Sequence, residues 1–217
     1  PFYFAVVLTI SAFIGANLID RAALLVTGRE EFDIFHRTLV SPRTALSRQR
    51  QWFVRCILAV PMSLAVAGAV TWTAVSLLDM DAPQAWGLFG FALLGVLAVA
   101  LVTLFFNTAF GTPGLLLGVL FTTILGVPSA GGVYPPEMLP RAFQVLGDWL
   151  TLPYMTTGAR ALLFFDGNGA AGLDRAIAVL LVYVAGAVLA GWGAAALIDR
   201  LRPGLVAAPA EAAAQPS

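Results

Sequence analysis

Gly111 to Phe165 reads GTPGLLLGVLFTTILGVPSAGGVYPPEMLPRAFQVLGDWLTLPYMTTGARALLFF. It is a short apolar span, then a Gly/Pro break, then two short amphipathic segments punctuated by prolines. The apolar part, Pro113 to Val127, has about 15 residues and as a helix reaches roughly 22 Å. A bilayer's hydrocarbon core is about 30 Å thick, so this helix alone falls short. Local thinning of the bilayer is one remedy. The other is that the break at Pro128 to Gly132 lies below the outer surface, where irregular backbone has to be covered by protein or line a wet cavity.

The segment that follows can provide the cover. Leu139, Phe143, Leu146 and Leu150 recur at helical spacing, with Arg141, Gln144 and Asp148 off that stripe. Pro153 is expected to end this helix, and a second short helix through Arg160 to Phe165 leads to the Asp-Gly-Asn-Gly turn at Asp166 to Gly169. The expectation is a helical hairpin folded back into the outer leaflet over a floor from Ser129 to Gly132. Ser129, Gly131, Gly132, Pro140, Phe143, Pro153 and Arg160 would then form an outer gate. The alternative is two helices lying flat on the membrane surface.

The rest of the chain fixes the class. Of 217 residues, 59% are hydrophobic and 11% charged, with mean hydropathy +0.88. A soluble domain carries about 25% charged residues, so the chain belongs among polytopic, all-α membrane proteins. Its formal net charge is zero, which offers nucleic acid nothing. The single cysteine and single histidine exclude an intrachain disulfide, a multi-cysteine metal site and a histidine-pair motif. The chain opens on Pro1 and is apolar from there, which suggests a piece of a longer protein.

Five spans are expected, at about 2–26, 52–78, 86–106, 113–127 and 176–198. Asp20 and Arg21 mark the end of the first, with Leu24 to Val26 as an extension beside a snorkelling Arg21. Trp52 is an interfacial anchor for the second, and Pro61 is a candidate kink. Asn107 to Gly114 reads as a turn, with Thr112 as N-cap and Pro113 at the first helical position. The remainder divides into a polar loop at 28–51, the outer segment at 128–173, and an Ala/Pro-rich tail at 201–217 that reads as disordered.

Arginine placement sets the orientation. Arg21, Arg29, Arg37, Arg43, Arg48, Arg50 and Arg55 gather in or beside the 28–51 loop, and Arg200 and Arg202 join them across five spans. The positive-inside rule makes that side cytoplasmic, and the N-terminus then lies outside the cell. Within the loop, Phe32, Phe35 and Leu39 share one face of a helix from about Glu30 to Val40, which Ser41-Pro42 breaks. This helix is either a solvated juxtamembrane element drawn to anionic lipid or a docking helix for a cytoplasmic partner.

No catalytic constellation is present. There is no P-loop and no G-x-S-x-G elbow. His36 sits among acids in the polar loop as a surface histidine, and Cys56 reads as packing. Nothing calls for a cofactor, and the chain is read as not an enzyme. The span interiors read as free of charge, which argues against a proton-coupled transporter. Asn17, Asn107, Thr103, Thr122 and Thr123 are the polar residues left near them, suited to interhelical hydrogen bonds. Gly114 and Gly118 form a G-x-x-x-G pair suited to close helix packing.

Two places resemble a known family. Arg-Thr-Leu-Val-Ser-Pro-Arg-Thr-Ala-Leu at Arg37 to Leu46, followed by an arginine-led span, looks like the cytoplasmic loop of ABC-2-type exporter permeases. PSAGGVYPPEMLP at Pro128 to Pro140, with Phe143-Gln144, Leu152-Pro153 and Gly158 to Arg160, is similar to the same superfamily, closest to its YhgE/Pip (phage infection protein) branch. The segment before the Leu-Val-Ser-Pro element departs from the acidic-glycine pattern of many permeases.

The resemblance implies the last five of six spans of a permease in a bacterial plasma membrane. Phe32, Phe35, Leu39, Arg37 and Arg43 would form the coupling helix that meets a separate ATP-binding subunit. The permease would work as a homodimer and export a hydrophobic or lipid-linked substrate. The alternative is a non-transporting surface protein that serves as a phage receptor or a secretion accessory.

Overall fold

Long runs of aliphatic residues without charge satisfy their backbone polar groups most simply as helices, and the bilayer enforces that choice. The computed structural model describes residues 1–27, 47–77, 83–131, 138, 140, 141, 145 and 147–201. The helices in chain order are α1 (Phe2–Thr27), α2 (Arg48–Ser76), α3 (Ala85–Phe110), α4 (Thr112–Val119), a π-helical turn (Leu120–Ile124), α5 (Gly126–Ser129), α6 (Thr151–Phe164), a 3-10 turn (Gly169–Ala171) and α7 (Leu173–Leu201). No strand occurs among the described residues.

Four of these helices, α1, α2, α3 and α7, are long and apolar enough to cross a membrane. The shortest has 26 residues, about 39 Å of helix. The fifth expected span is a shorter apolar helix, Pro113–Ser129. The coupling residues Phe32, Phe35, Leu39, Arg37 and Arg43, together with His36, lie outside the described residues, as does the tail beyond Leu201.

The centre of the bundle is α3. It packs against α1, α2, α4, α6 and α7, and every residue from Ala98 to Leu104 is buried. A helix apolar all round is what a central position requires. The other spans turn large aliphatic residues outward: Val7, Ile14 and Leu18 on α1, Ile57 and Leu64 on α2, Leu181, Val182 and Leu189 on α7. A continuous exposed apolar surface of this kind is one that lipid covers. Tyr3, Trp72, Trp86 and Phe165 are exposed at one end of the bundle, where an interfacial aromatic belt belongs.

The structure moves several expected boundaries. Helix α1 runs through Asp20 and Arg21 to Thr27, and α2 begins at Arg48, four residues before the expected start. Ser47 caps α2 by accepting from the Arg50 N–H at 3.4 Å, and the Arg48 N–H donates to the Asp199 carboxylate of α7 at 3.0 Å. A carboxylate at a helix N-terminus offsets the helix dipole. Trp52 is not an interfacial anchor. It is 2% exposed, lies against Gly191, and its indole N–H donates to the Val188 carbonyl at 3.2 Å. Pro61 lies inside an uninterrupted α2.

Asn107 to Phe110 are helical, not a turn, and the chain reverses at Gly111, whose φ is 65°. Gly111, not Thr112, holds the N-cap position of α4. A Cβ at Gly114 would stand 2.1 Å from the Phe106 carbonyl oxygen, and one at Gly118 would stand 3.0 Å from the Phe13 ring. The G-x-x-x-G pair therefore does the close packing expected of it, Gly114 against α3 and Gly118 against α1. Thr103 and Thr122 depart from the expectation of interhelical bonds, because their hydroxyls donate to Val99 and Gly118 carbonyls of their own helices. The fourth helix passes Val127 and ends at Ser129, with Pro128 inside its last turn.

Candidate functional site

Within the stretch from Gly111 to Phe165, the fourth helix and α6 both pack on the bundle. Midway along the fourth helix the hydrogen bonding slips by one residue, and the Leu125 N–H reaches the Leu120 carbonyl at 2.9 Å. Such π-turns recur at functional sites in helices. The helix then stops at Ala130, and Gly131 takes φ 65°. Ser129, Ala130 and Leu150 are all buried. At these three positions the two ends of the break are covered by protein.

The cover comes from α6. Leu162 meets Gly87, Gly158 meets Phe91 and Met155 meets Gly95, and Leu152 lies on Gly126. Along α3 the paired numbers fall as those along α6 rise, so α6 runs antiparallel to the first half of α3 in steady register. Gly87, Gly95 and Gly158 let the two helices approach. A Cβ at Gly158 would stand 2.1 Å from the Phe91 ring, and one at Gly95 2.7 Å from Met155. Gln84 closes the top by donating to the Asp166 carbonyl at 2.8 Å and its carboxylate at 3.1 Å. Met155 sits level with Gly95, ten residues or about 15 Å along α3 from Ala85, and the start of α6 at Thr151 lies further along. Helix α6 packs lengthwise on α3 and does not lie flat across the end of the bundle.

Its N-terminal end is pinned to α7. The Tyr183 hydroxyl donates to the Trp149 carbonyl. The Tyr154 hydroxyl donates to the Asp148 carbonyl at 3.1 Å, and the Arg175 guanidinium lies over the Tyr154 ring at 5.8 Å. The Arg175–Asp148 pair at 3.9 Å is about 70% exposed on both sides and adds little.

Of the expected outer gate, the structure places Ser129 and Gly131 at the bottom of this seam, with Pro153 in the first turn of α6. Pro153 does not end the preceding helix. The first turn of a helix has no use for its missing N–H, and the chain breaks earlier, at Asp148 to Leu150. Arg160 and Pro140 are exposed; Arg160 lies nine residues above Thr151, about 13 Å along α6, and does not meet the floor. Gly132, Leu139, Phe143 and Leu146 lie outside the described residues.

A second polar site sits at the other end of the bundle, and it corrects the expectation of charge-free interiors. Arg55 of α2 and Asp20 of α1 form an ion pair at 2.7 Å, each side chain 8% exposed. Arg55 Nη1 also donates to the Thr108 hydroxyl at 2.8 Å, and Thr108 donates to the Leu104 carbonyl at 2.8 Å. Asn107 Nδ2 donates to Asn17 Oδ1 at 3.0 Å and to Asp20 Oδ2 at 3.4 Å. The expected bond between Asn17 and a neighbouring span is therefore present, within a larger network.

The signal for this pair was in the sequence. On α2 the buried face runs Trp52, Arg55, Ala59, Ser63, Ala67, Thr71, Ala74, at spacings of three and four. On α1 the buried Leu8, Ala12, Ala16, Asp20 and Ala23 do the same. Both charges fall on a stripe of small buried residues, but as the expected ends of spans they read as solvent-facing markers. Cys56, beside Arg55, is a free, half-buried thiol packed on the core.

The chain is 28% identical over 108 residues to "Uncharacterized protein YhgE" of Bacillus subtilis (strain 168), a match over 50% of this chain and 13% of that protein. The relationship is distant and the chain spans only a small part of its relative. No family model matches the chain, and no solved structure matches it.

Proposed function

We propose that this chain is the membrane domain of an ABC-2-type exporter. It moves a hydrophobic or lipid-linked substrate out through a bacterial plasma membrane, works as a homodimer, and draws on a separate ATP-binding subunit. The observation that carries this reading is α6, a half-length helix seated on glycines along α3 beside a fourth helix broken by a π-turn. A half-length helix can slide or tilt without unsealing a full span, which suits a gate on the release side. The likeness to YhgE and the motifs at Arg37 to Leu46 and Pro128 to Pro140 support the same superfamily. In this reading hydrolysis belongs to the partner, and Phe32, Phe35, Leu39, Arg37 and Arg43 are the residues proposed to couple to it.

Orientation is tested first. In a Cys56→Ala background, Ala170→Cys is expected to react with an impermeant thiol reagent in intact cells and Ser47→Cys only after permeabilisation. The opposite pattern reverses the arginine-based assignment. Coupling is tested by reconstituting the chain with a candidate ATP-binding subunit in liposomes. Hydrolysis should rise with the chain present and return to the basal rate when Phe32, Phe35 and Leu39 are all changed to serine. A triple variant that inserts and still stimulates fully removes the coupling role.

The second reading, a surface receptor or secretion accessory, is favoured by one observation. The matched stretch is 13% of the relative, so most of that protein lies elsewhere. Absence of stimulation by any ATP-binding subunit, with phage adsorption or secretion lost on deletion, would establish this reading over export.

A further inference from the structure

The Asp20–Arg55 pair is a poor brace. Burying two charges costs several kcal/mol, and their attraction seldom returns more than apolar packing would. The network around it is also incomplete. Arg55 Nε and Asn107 Oδ1 are buried without a hydrogen-bond partner, although one is a donor and the other an acceptor. Fully satisfied networks rigidify a core; partly satisfied ones invite water or a second arrangement.

The place of the pair matters as well. It lies two turns from the end of α1 and two turns from the start of α2, the two helices that lead into the 28–46 connection. Around it those helices meet through small residues, with Ala16 and Ala59 fully buried and Gly15 against Met62. At this level α1 and α2 approach closely through small residues, and the ion pair is the charged link between them. The last turn of α3 reaches it through Asn107 and Thr108.

We infer that Asp20 and Arg55, with Asn17, Asn107 and Thr108, form a hydratable polar latch that holds the arginine-bearing end of the bundle closed and opens when water enters between α1 and α2. The latch acts on the joint between the 28–46 connection and the bundle. It goes beyond the export reading and holds for either proposed function.

Cys56 is the natural reporter, one residue from Arg55. A small charged methanethiosulfonate reagent modifies a thiol only where water reaches it. In the purified full chain in lipid nanodiscs, Asp20→Asn and Arg55→Met are each expected to raise the Cys56 modification rate at least tenfold, at temperatures where circular dichroism shows the fold intact. The apolar pair Asp20→Leu with Arg55→Met, which seals the joint without charge, is expected to react several-fold more slowly than the wild type. The latch is overturned if the apolar pair reacts as fast as the wild type or faster. It is also overturned if the single variants show no increase below their melting temperatures. The double variant keeps the test decisive should a single variant fail to fold.

Discussion

Changing Arg55 to methionine is expected to destabilise the protein by about 3–5 kcal/mol, because it leaves the Asp20 carboxylate buried and uncompensated. The pair is 8% exposed on each side, so solvent screening offers little relief. Asp20→Leu alone strands the guanidinium and should cost a similar amount. The double variant should return to within about 1 kcal/mol of the wild type, since a buried ion pair replaced by apolar groups is often neutral. Equilibrium unfolding in bicelles across the four proteins forms a double-mutant cycle. Costs that simply add, with no coupling, would mean that the two charges do not meet as the structure places them.

Gly158→Leu is expected to dislodge α6. A Cβ there would already stand 2.1 Å from Phe91, and a full leucine cannot be housed without moving one helix off the other. Overpacking of this kind costs about 1–3 kcal/mol, occasionally more. The damage should be local. Amide exchange should quicken across 126–131 and 147–164 and stay slow across α2. Phe91→Ala opens the space and should rescue much of the loss. Gly90→Ala is the control, with nothing within 4 Å of the new methyl, and should be neutral or mildly stabilising through helix propensity. If Gly158→Leu were as harmless as Gly90→Ala, α6 would face lipid and lie on the surface instead.

The two variants probe features that were unequally legible. The short fourth helix announced itself by arithmetic, because the residues from Pro113 to Val127 are too few to cross. The prolines and glycines that follow cannot sit unprotected at depth. What arithmetic could not supply was the partner. The choice between burial along α3 and a flat position on the surface depends on Gly87, Gly95 and Gly158 finding Leu162, Met155 and Phe91. Glycines spaced along two separate helices carry no mark of each other. The break itself was placed near Pro128 because proline is a helix breaker. The structure carries the helix through Pro128 to Ser129, with a π-turn just upstream.

The ion pair shows the opposite failure. Its residues were visible, but the reading took Asp20 as the mark of a span's end and counted Arg55 with the loop arginines. That rule holds when charges face water. It fails when a charge on one helix meets its complement on another, because the pairing removes the penalty that would otherwise end the span. Thr103 and Thr122 show a related limit: their hydroxyls had a nearer acceptor one turn back in their own helices.

The class of this protein, its helical content and the approximate position of each long helix could be read from the chain alone. Those follow from uncharged length, which is a property of one segment and the bilayer. The central place of α3, the packing of α6 along it and the meeting of Asp20 with Arg55 inside the bundle emerge with the fold. Each depends on which faces of different helices come together. Such pairings arise from complementary shape and charge between residues far apart in the chain, and no single segment encodes them.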